Sequence, residues 1–360
     1  MIILYILSYL TLLLVTVLVV FYFERKIPAF IQDRMGPTET GKYGLLQGIA
    51  DLIKLLQKED IRPKSIDKIL FLAAPFVLFA AVFGAFAVIP LGPEIQAASI
   101  HSGLLVILAI LSLEVIGLFM AGWGSNSKFS LYGAMRSISQ LISYEIPLGL
   151  SMLCVIVTYN TLDLQSICYE QSIWSVKSHF LFGIPRLNIS VSRTGGFLTW
   201  SIFQSPFLII AFVIFFIASL AECNRAPFDL PEAESEIVGG YHIEYSGFRF
   251  AIFFLSEYGL MLIVCLVGSI LFLGGWSSPF LNIGRFTLGL WTSGHPGTWS
   301  ASIWGAFWLI SKAFLLLLLQ IWIRWTYPRL RTDQLVYLCW KILTPFALGC
   351  LIAAILWKLW

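Results

Sequence analysis

SGLLVILAILSLEVIGLFMAG, Ser102 to Gly122, runs for 21 residues with a single ionisable side chain, Glu114. At 1.5 Å per residue such a run reaches across the roughly 30 Å hydrocarbon core of a bilayer. It is too long for an ordinary buried strand. It is also apolar on every face, so it cannot be a surface helix of a soluble domain. The remaining chain repeats the pattern. Of 360 residues, 58% are hydrophobic and only 12% charged, with a mean hydropathy of +0.85. Soluble domains carry about 25% charged residues.

Apolar runs of this length predict an all-α integral membrane protein, one polytopic domain over residues 1–360. Eight spans are expected, at about 2–23, 69–91, 102–122, 137–159, 203–222, 250–273, 304–325 and 340–360. The first has no positive segment before it and is followed by Glu24-Arg25-Lys26. It reads as an uncleaved span rather than a signal peptide. The odd-numbered loops hold 17 lysines and arginines and the even-numbered loops four. The positive-inside bias puts the odd loops in the cytoplasm and both termini outside. Segments 160–202 and 274–303 contain Gly, Pro, Ser and Trp and few charges, and are expected as irregular or hairpin structure on the outer surface. No internal repeat is visible, which weighs against transporters built from duplicated halves.

The net charge of +3 and the lack of a basic stripe give nucleic acid no site. The six cysteines form no CxxC pair, and the four histidines fall near span ends or in loops. Metal, iron–sulfur and haem ligation therefore have little support, and no redox centre is expected in this chain.

The polar residues that remain are few and grouped. In YGLLQGIADLIKLLQK (43–58), Leu45, Ile49, Leu52, Ile53 and Leu56 share one helical face, and Gln47, Asp51, Lys54 and Lys58 the opposite one. This predicts an amphipathic helix lying in the interface. It is either a plain anchor or a gate beside the entrance of a lipophilic substrate. Glu114, Glu145, Glu257 and Lys312 fall inside spans. Each costs about 2.5–3.5 kcal/mol on insertion scales, so each must face protein or water and find a partner. A structural ion pair and a proton relay are both open for them.

Along the fourth span Arg136, Gln140 and Tyr144 form a polar stripe with Ser143 adjacent, while Glu145 points away from Arg136. Pro147 frees the carbonyl of Ser143 and is expected to kink the helix there. Stripe, acid and kink together suggest a hydrated cavity. LPEAESEIVGGYHIEYSG (230–247) is the other concentration of charge: Glu222, Asp229, Glu232, Glu234, Glu236 and Glu244 occupy 23 positions. Pro231 could start a short helix with Asp229 near its cap, whose dipole would favour one or two of these acids. The rest repel one another, so some are expected to stay protonated. Gly239-Gly240 offers a hinge.

These stretches, with ERKIPAFIQDRMGP (24–37), AGWGSNSKFSLYGAMRSISQLISYEIP (121–147), AECNRAPFDLPEAESEIVGGYHIEYSG (221–247) and RWTYPRLRTDQLVYLCWK (324–341), closely resemble the quinone-proximal membrane subunit of respiratory complex I, the proton-translocating NADH:quinone oxidoreductase. The likeness runs from about residue 20 to 345. It implies a subunit of the cell inner membrane that has no redox centre and is inactive alone. Flavin and iron–sulfur clusters would sit in partner subunits, with quinone as substrate. The implied partners are peripheral-arm subunits carrying the terminal iron–sulfur cluster, antiporter-like membrane subunits and the bilayer.

The resemblance also carries residues. Arg25, Arg34, Asp51 and Lys54 would line the quinone tunnel. Glu145, Glu222, Glu232, Glu234, Glu236 and Glu257 would form the acidic route that couples quinone reduction to proton translocation. Glu114 is not among the carried positions. Two other readings stand beside this one. One is the membrane anchor of an energy-converting hydrogenase or formate-hydrogen lyase, whose chamber motifs should be less fully kept. The other is a stand-alone proton-coupled transporter, which would work without partners.

Overall fold

A computed structural model describes residues 2–175, 180–184, 191–230, 238–282 and 287–359. Every regular element among them is helical. The long helices are α1 (Ile2–Ile31), α2 (Gln47–Gln57), α3 (Lys68–Phe86), α4 (Gly103–Gly124), α5 (Lys128–Tyr159), α6 (Pro206–Glu222), α7 (Gly247–Phe272), α8 (Trp299–Thr326) and α9 (Thr332–Leu359). The expected short helix after Pro231, with Glu232, Glu234 and Glu236, lies outside the described residues.

Seven of these helices are long and apolar enough to cross a bilayer, where the sequence led us to expect eight. The difference is α6. Its 17 residues reach about 25 Å at 1.5 Å each. It starts at Pro206 rather than 203, because Ser201–Phe203 is a 3-10 turn and proline is well suited to a helix's first position. Elsewhere the helices mostly outrun the apolar runs. α1 continues to Ile31 through Glu24-Arg25-Lys26, and α5 begins nine residues before the expected 137, at Lys128. Charged and polar side chains end an apolar run without ending a helix, since Glu, Lys and Arg are good helix formers. The interfacial helix is shorter than expected, since Lys42–Gly44 is a separate 3-10 turn.

Within the bundle α7 is central. About 78% of its most apolar window is buried inside the protein, against 17–44% for the other spans. α3 packs directly on it, and α4 packs between α3 and α5. Tight approach there depends on small residues: a Cβ at Gly122 of α4 would stand 2.2 Å from the Ala134 Cβ of α5. Pro147 has no N–H for the Ser143 carbonyl, and that carbonyl instead accepts the Cys339 thiol at 2.9 Å. Cys339 sits in a π-helical turn of α9, Leu338–Leu343. The polar stripe of α5 is used in the same way. Gln140 Nε2 donates to the Ala221 carbonyl at 2.8 Å and Tyr144 Oη to that of Leu335 at 3.0 Å. These side chains join α5 to the ends of α6 and α9.

Lys312 finds no carboxylate among the described residues. Its ammonium donates to the carbonyls of Leu273 (2.8 Å), Gly275 (3.0 Å) and Ser277 (2.6 Å), just past the C-terminus of α7. The unpaired carbonyls and negative dipole end there favour a cation. Trp200 covers it, with the nitrogen 4.8 Å from the ring centroid. The described parts of 160–202 form short helices and turns, beginning with Leu164–Glu170 capped by Asp163.

Candidate functional site

A cavity of about 670 Å³ opens between α1, α2, α3 and the start of α7. Leu14, Val17, Phe21, Leu52, Phe79 and Phe250 are typical of its walls; Asp51 is its charged member and Tyr258 adds a phenol. A long apolar wall with few polar groups suits an elongated lipophilic ligand. Gly48 lets α2 come this close to α1, since a Cβ there would lie 3.2 Å from Leu18 Cδ2. This changes the reading of the amphipathic helix. Leu45, Ile49 and Ile53 are exposed as a bilayer-facing surface would be, but Asp51 shares the cavity side with Leu52 and Leu55 rather than facing away from it.

Asp51 is held from two directions. Arg25 pairs with its Oδ2 at 2.7 Å, and Gln47 Nε2 donates to its Oδ1 at 3.0 Å. Thr40 donates to Gln47 Oε1 at 2.7 Å, fixing the amide. The Arg25 guanidinium also lies over the Phe21 ring, 4.5 Å from its centroid. Of the four residues expected to line a tunnel, then, Asp51 lines the cavity and Arg25 braces it. Arg34 and Lys54 are exposed and do not line it.

At Tyr258 the cavity meets a charged cluster. The Tyr258 hydroxyl donates to Glu24 Oε2, and Arg324 pairs with Glu24 Oε1. Arg225 stacks over the Tyr258 ring at 4.6 Å and stands between two carboxylates, 3.6 Å from Glu24 Oε1 and 3.8 Å from Glu257 Oε2. The other oxygen of Glu257 accepts the Tyr241 hydroxyl at 2.6 Å and lies 3.0 Å from His242 Nε2. Two arginines thus balance two carboxylates in a buried site, which is how such charges are tolerated. Glu24, Arg225 and Arg324 carried no separate signal in the sequence. Glu24 lies in the last two turns of α1, Arg225 in the turn after α6 and Arg324 in the last turn of α8; charges are ordinary at the margins of apolar runs, and only the packing of α1, α7 and α8 brings them together.

From Glu257 a row of acids leads through the bundle. Glu114 and Glu222 are 4% and 2% exposed, so neither is a surface charge. Glu114 is close enough to Glu222 and Glu257 to interact with both electrostatically, and Glu222 with Glu145. Glu145 is half-buried at the flank of α5 and accepts the Ser112 hydroxyl at 2.7 Å. Among the described residues, Glu222 Oε2 and Glu114 Oε2 meet no hydrogen-bonding side chain or backbone group. The structure therefore brings together Glu145, Glu222 and Glu257, and adds Glu114, which the resemblance did not carry. Glu232, Glu234 and Glu236 lie outside the described residues.

The described end of the acidic loop is clamped. A Cβ at Gly133 of α5 would stand 2.7 Å from the Gly240 Cα, so the two backbones touch at the expected hinge. Tyr245 stacks on Phe71 with ring centroids 4.1 Å apart and donates to the Phe71 carbonyl. Burial raises the pKa of that phenol, so it remains a donor. Asp229 Oδ2 pairs with Arg329 at 2.8 Å.

The family model described as NADH dehydrogenase matches residues 4–355. A Cytophaga hutchinsonii protein, named as the second of that organism's H-type NADH-quinone oxidoreductase subunits, is 53% identical over 98% of this chain and 97% of its own length. A Chlorobium luteolum protein, named as an H-type subunit of the same oxidoreductase, is 50% identical over 94% of this chain and 84% of its own. A Geobacillus protein named likewise is 43% identical over 90% and 84%. With that coverage and identity, the chain belongs to the NADH dehydrogenase family, among relatives named as H-type subunits of NADH-quinone oxidoreductase.

Proposed function

We propose that this chain is the membrane subunit that houses the quinone of complex I and passes the effect of quinone reduction into the membrane. The carrying observation is a single continuous arrangement. An apolar cavity bounded by Asp51 ends at Tyr258, Tyr258 belongs to the Glu24–Arg225–Glu257 cluster, and Glu257 begins the row Glu114, Glu222 and Glu145.

In this reading the quinone tail lies against Leu14, Phe79 and Phe250. Asp51 and Arg25 guide it, while Arg34 and Lys54 serve from the exposed rim. The headgroup is reduced by an iron–sulfur cluster of a peripheral-arm partner, and flavin also belongs to partner subunits. This chain supplies shape, charge and protons. When reduction draws protons from the chamber, the cluster's charge balance changes and the acids re-protonate in turn. Glu145, at the bundle's flank, hands the change to antiporter-like subunits. Glu232, Glu234 and Glu236 take part from the loop.

The chain forms one polytopic domain with α6 as its eighth span. It lies in the cell inner membrane with both termini outside and loop 222–249 in the cytoplasm, following the lysine and arginine bias. The hydrogenase-anchor and transporter readings are not favoured.

The test is made in the complex purified through this chain. Glu222→Gln and Glu145→Gln should leave assembly intact and lower quinone reduction or coupled proton uptake in proteoliposomes by about a hundredfold, the lower end of what a proton-transfer group contributes. Normal rates in both assembled variants would end the relay reading at those positions.

A further inference from the structure

Glu257 has more partners than its charge needs. Arg225 neutralises it on one side, and the Tyr241 hydroxyl already donates to Oε1 at 2.6 Å. His242 Nε2 meets the same oxygen at 3.0 Å. Its ring is enclosed by Phe250, Phe253 and Phe254, at centroid distances of 5.7, 5.3 and 5.8 Å. Only 7% of the residue remains exposed.

The position is a junction. His242 belongs to the last described turn of the acidic loop, and Glu257 lies inside α7 at the head of the acid row. Among the described residues, the other charged and titratable groups around this carboxylate are Arg225 from the turn after α6, Tyr241 from the loop and Glu114 from α4. Glu24 of α1 is joined to it through Arg225. Arginine does not release its proton, and tyrosine does so only near pH 10. Histidine is the side chain that ordinarily gains and loses a proton between pH 5 and 8.

We infer that His242 is a proton carrier between the cytoplasmic loop and Glu257, loading the membrane row from the aqueous side. The inference rests on the relay reading of that row and adds its port. In the step, the Nε2–H bond of the imidazolium breaks and an O–H bond forms on Glu257 Oε1. The imidazolium becomes neutral imidazole and the carboxylate a neutral carboxyl, so the pair's net charge is unchanged. The imidazole then takes its next proton from cytoplasmic water. The pair stays neutral during that transfer, so the step adds no charge to a buried site, and the imidazole is reloaded once Glu257 has passed its proton along the row. A brace would need only a fixed donor; a carrier must titrate.

The experiment uses the whole complex in proteoliposomes, with NADH as donor and a short-tailed quinone. His242→Gln keeps an N–H donor, His242→Phe keeps the ring among its phenylalanines, and His242→Gly leaves room for added imidazole. Proton uptake in the Gln and Phe variants should fall at least about tenfold. The change of rate between pH 6 and 8 should flatten, and imidazole should restore activity to the Gly variant severalfold. A Gln variant with the normal rate and pH profile overturns the inference. So does an equal slowing at every pH with no imidazole rescue, which would leave His242 a brace. Glu257→Gln separates the two levels. If it runs at the normal rate, the relay reading fails at its first member; if it is slow while His242→Gln is normal, only the carrier role fails.

Discussion

Asp51→Asn isolates the charge at the cavity mouth while keeping its shape. Asn Oδ1 can still accept from Gln47, whose amide is fixed by Thr40. What is lost is the ionic part of the 2.7 Å contact with Arg25. That pair is partly exposed, with side chains 39% and 26% accessible, so solvent screens it and it is worth about 1 kcal/mol rather than several. The guanidinium keeps its place over Phe21 at 4.5 Å, a contact of about 0.5–1 kcal/mol. The mouth should therefore loosen without collapsing.

If Asp51 guides the incoming quinone, about 1 kcal/mol raises its apparent KM roughly fivefold, with kcat within about twofold. The assay is steady-state quinone reduction by the assembled complex, with quinones of several tail lengths. Asp51→Leu should cost more, because it also strips Gln47 of its acceptor and leaves a part-buried amide unpaired. A KM within about 1.5-fold of normal for every quinone would refute the argument and return α2 to a membrane anchor. A fall in kcat at constant KM would refute it too, placing Asp51 in the chemistry rather than the approach.

Two further substitutions test the scaffold. Lys312→Met leaves the carbonyls of Leu273, Gly275 and Ser277 without their donor, partly offset by no longer burying a charge. A net loss of about 2–3 kcal/mol and a fall of roughly 3–6 °C in the thermal transition in detergent are expected; a change under about 1 °C would show the clamp to be unimportant. Gly133→Ala puts a Cβ 2.7 Å from a backbone atom of Gly240, which cannot rotate away. A strain of about 1–3 kcal/mol should push Tyr241 and His242 off Glu257 and lower turnover in a folded complex, whereas normal turnover would show that the loop tolerates the shift.

The acid row illustrates where sequence reasoning stops. Glu145 and Glu257 were visible as carboxylates inside apolar runs, because a charge in a span is costly enough to demand a reason. Glu114 was equally visible, yet its membership of the row depends on the approach of α4 to α6 and α7. Lys312 gave the same sequence signal and proved to be a helix-end clamp. An intramembrane charge therefore announces that it has a partner without saying which.

Hydrophobicity alone determined that this chain is a helical membrane protein, where most of its helices run and which loops carry the positive charge. Those are local properties, set by the cost of placing each side chain or backbone group in hydrocarbon, and they add along the chain. Tertiary structure decided the rest. Glu24, Arg225 and Glu257 are separated by up to 233 positions in sequence but share one buried cluster. Asp51 turned from the supposed polar face into a cavity wall once α2 packed on α1 at Gly48. Opposite charges in a medium that screens them weakly act on distance in space. That distance is set by how helices pack, and no single helix encodes it.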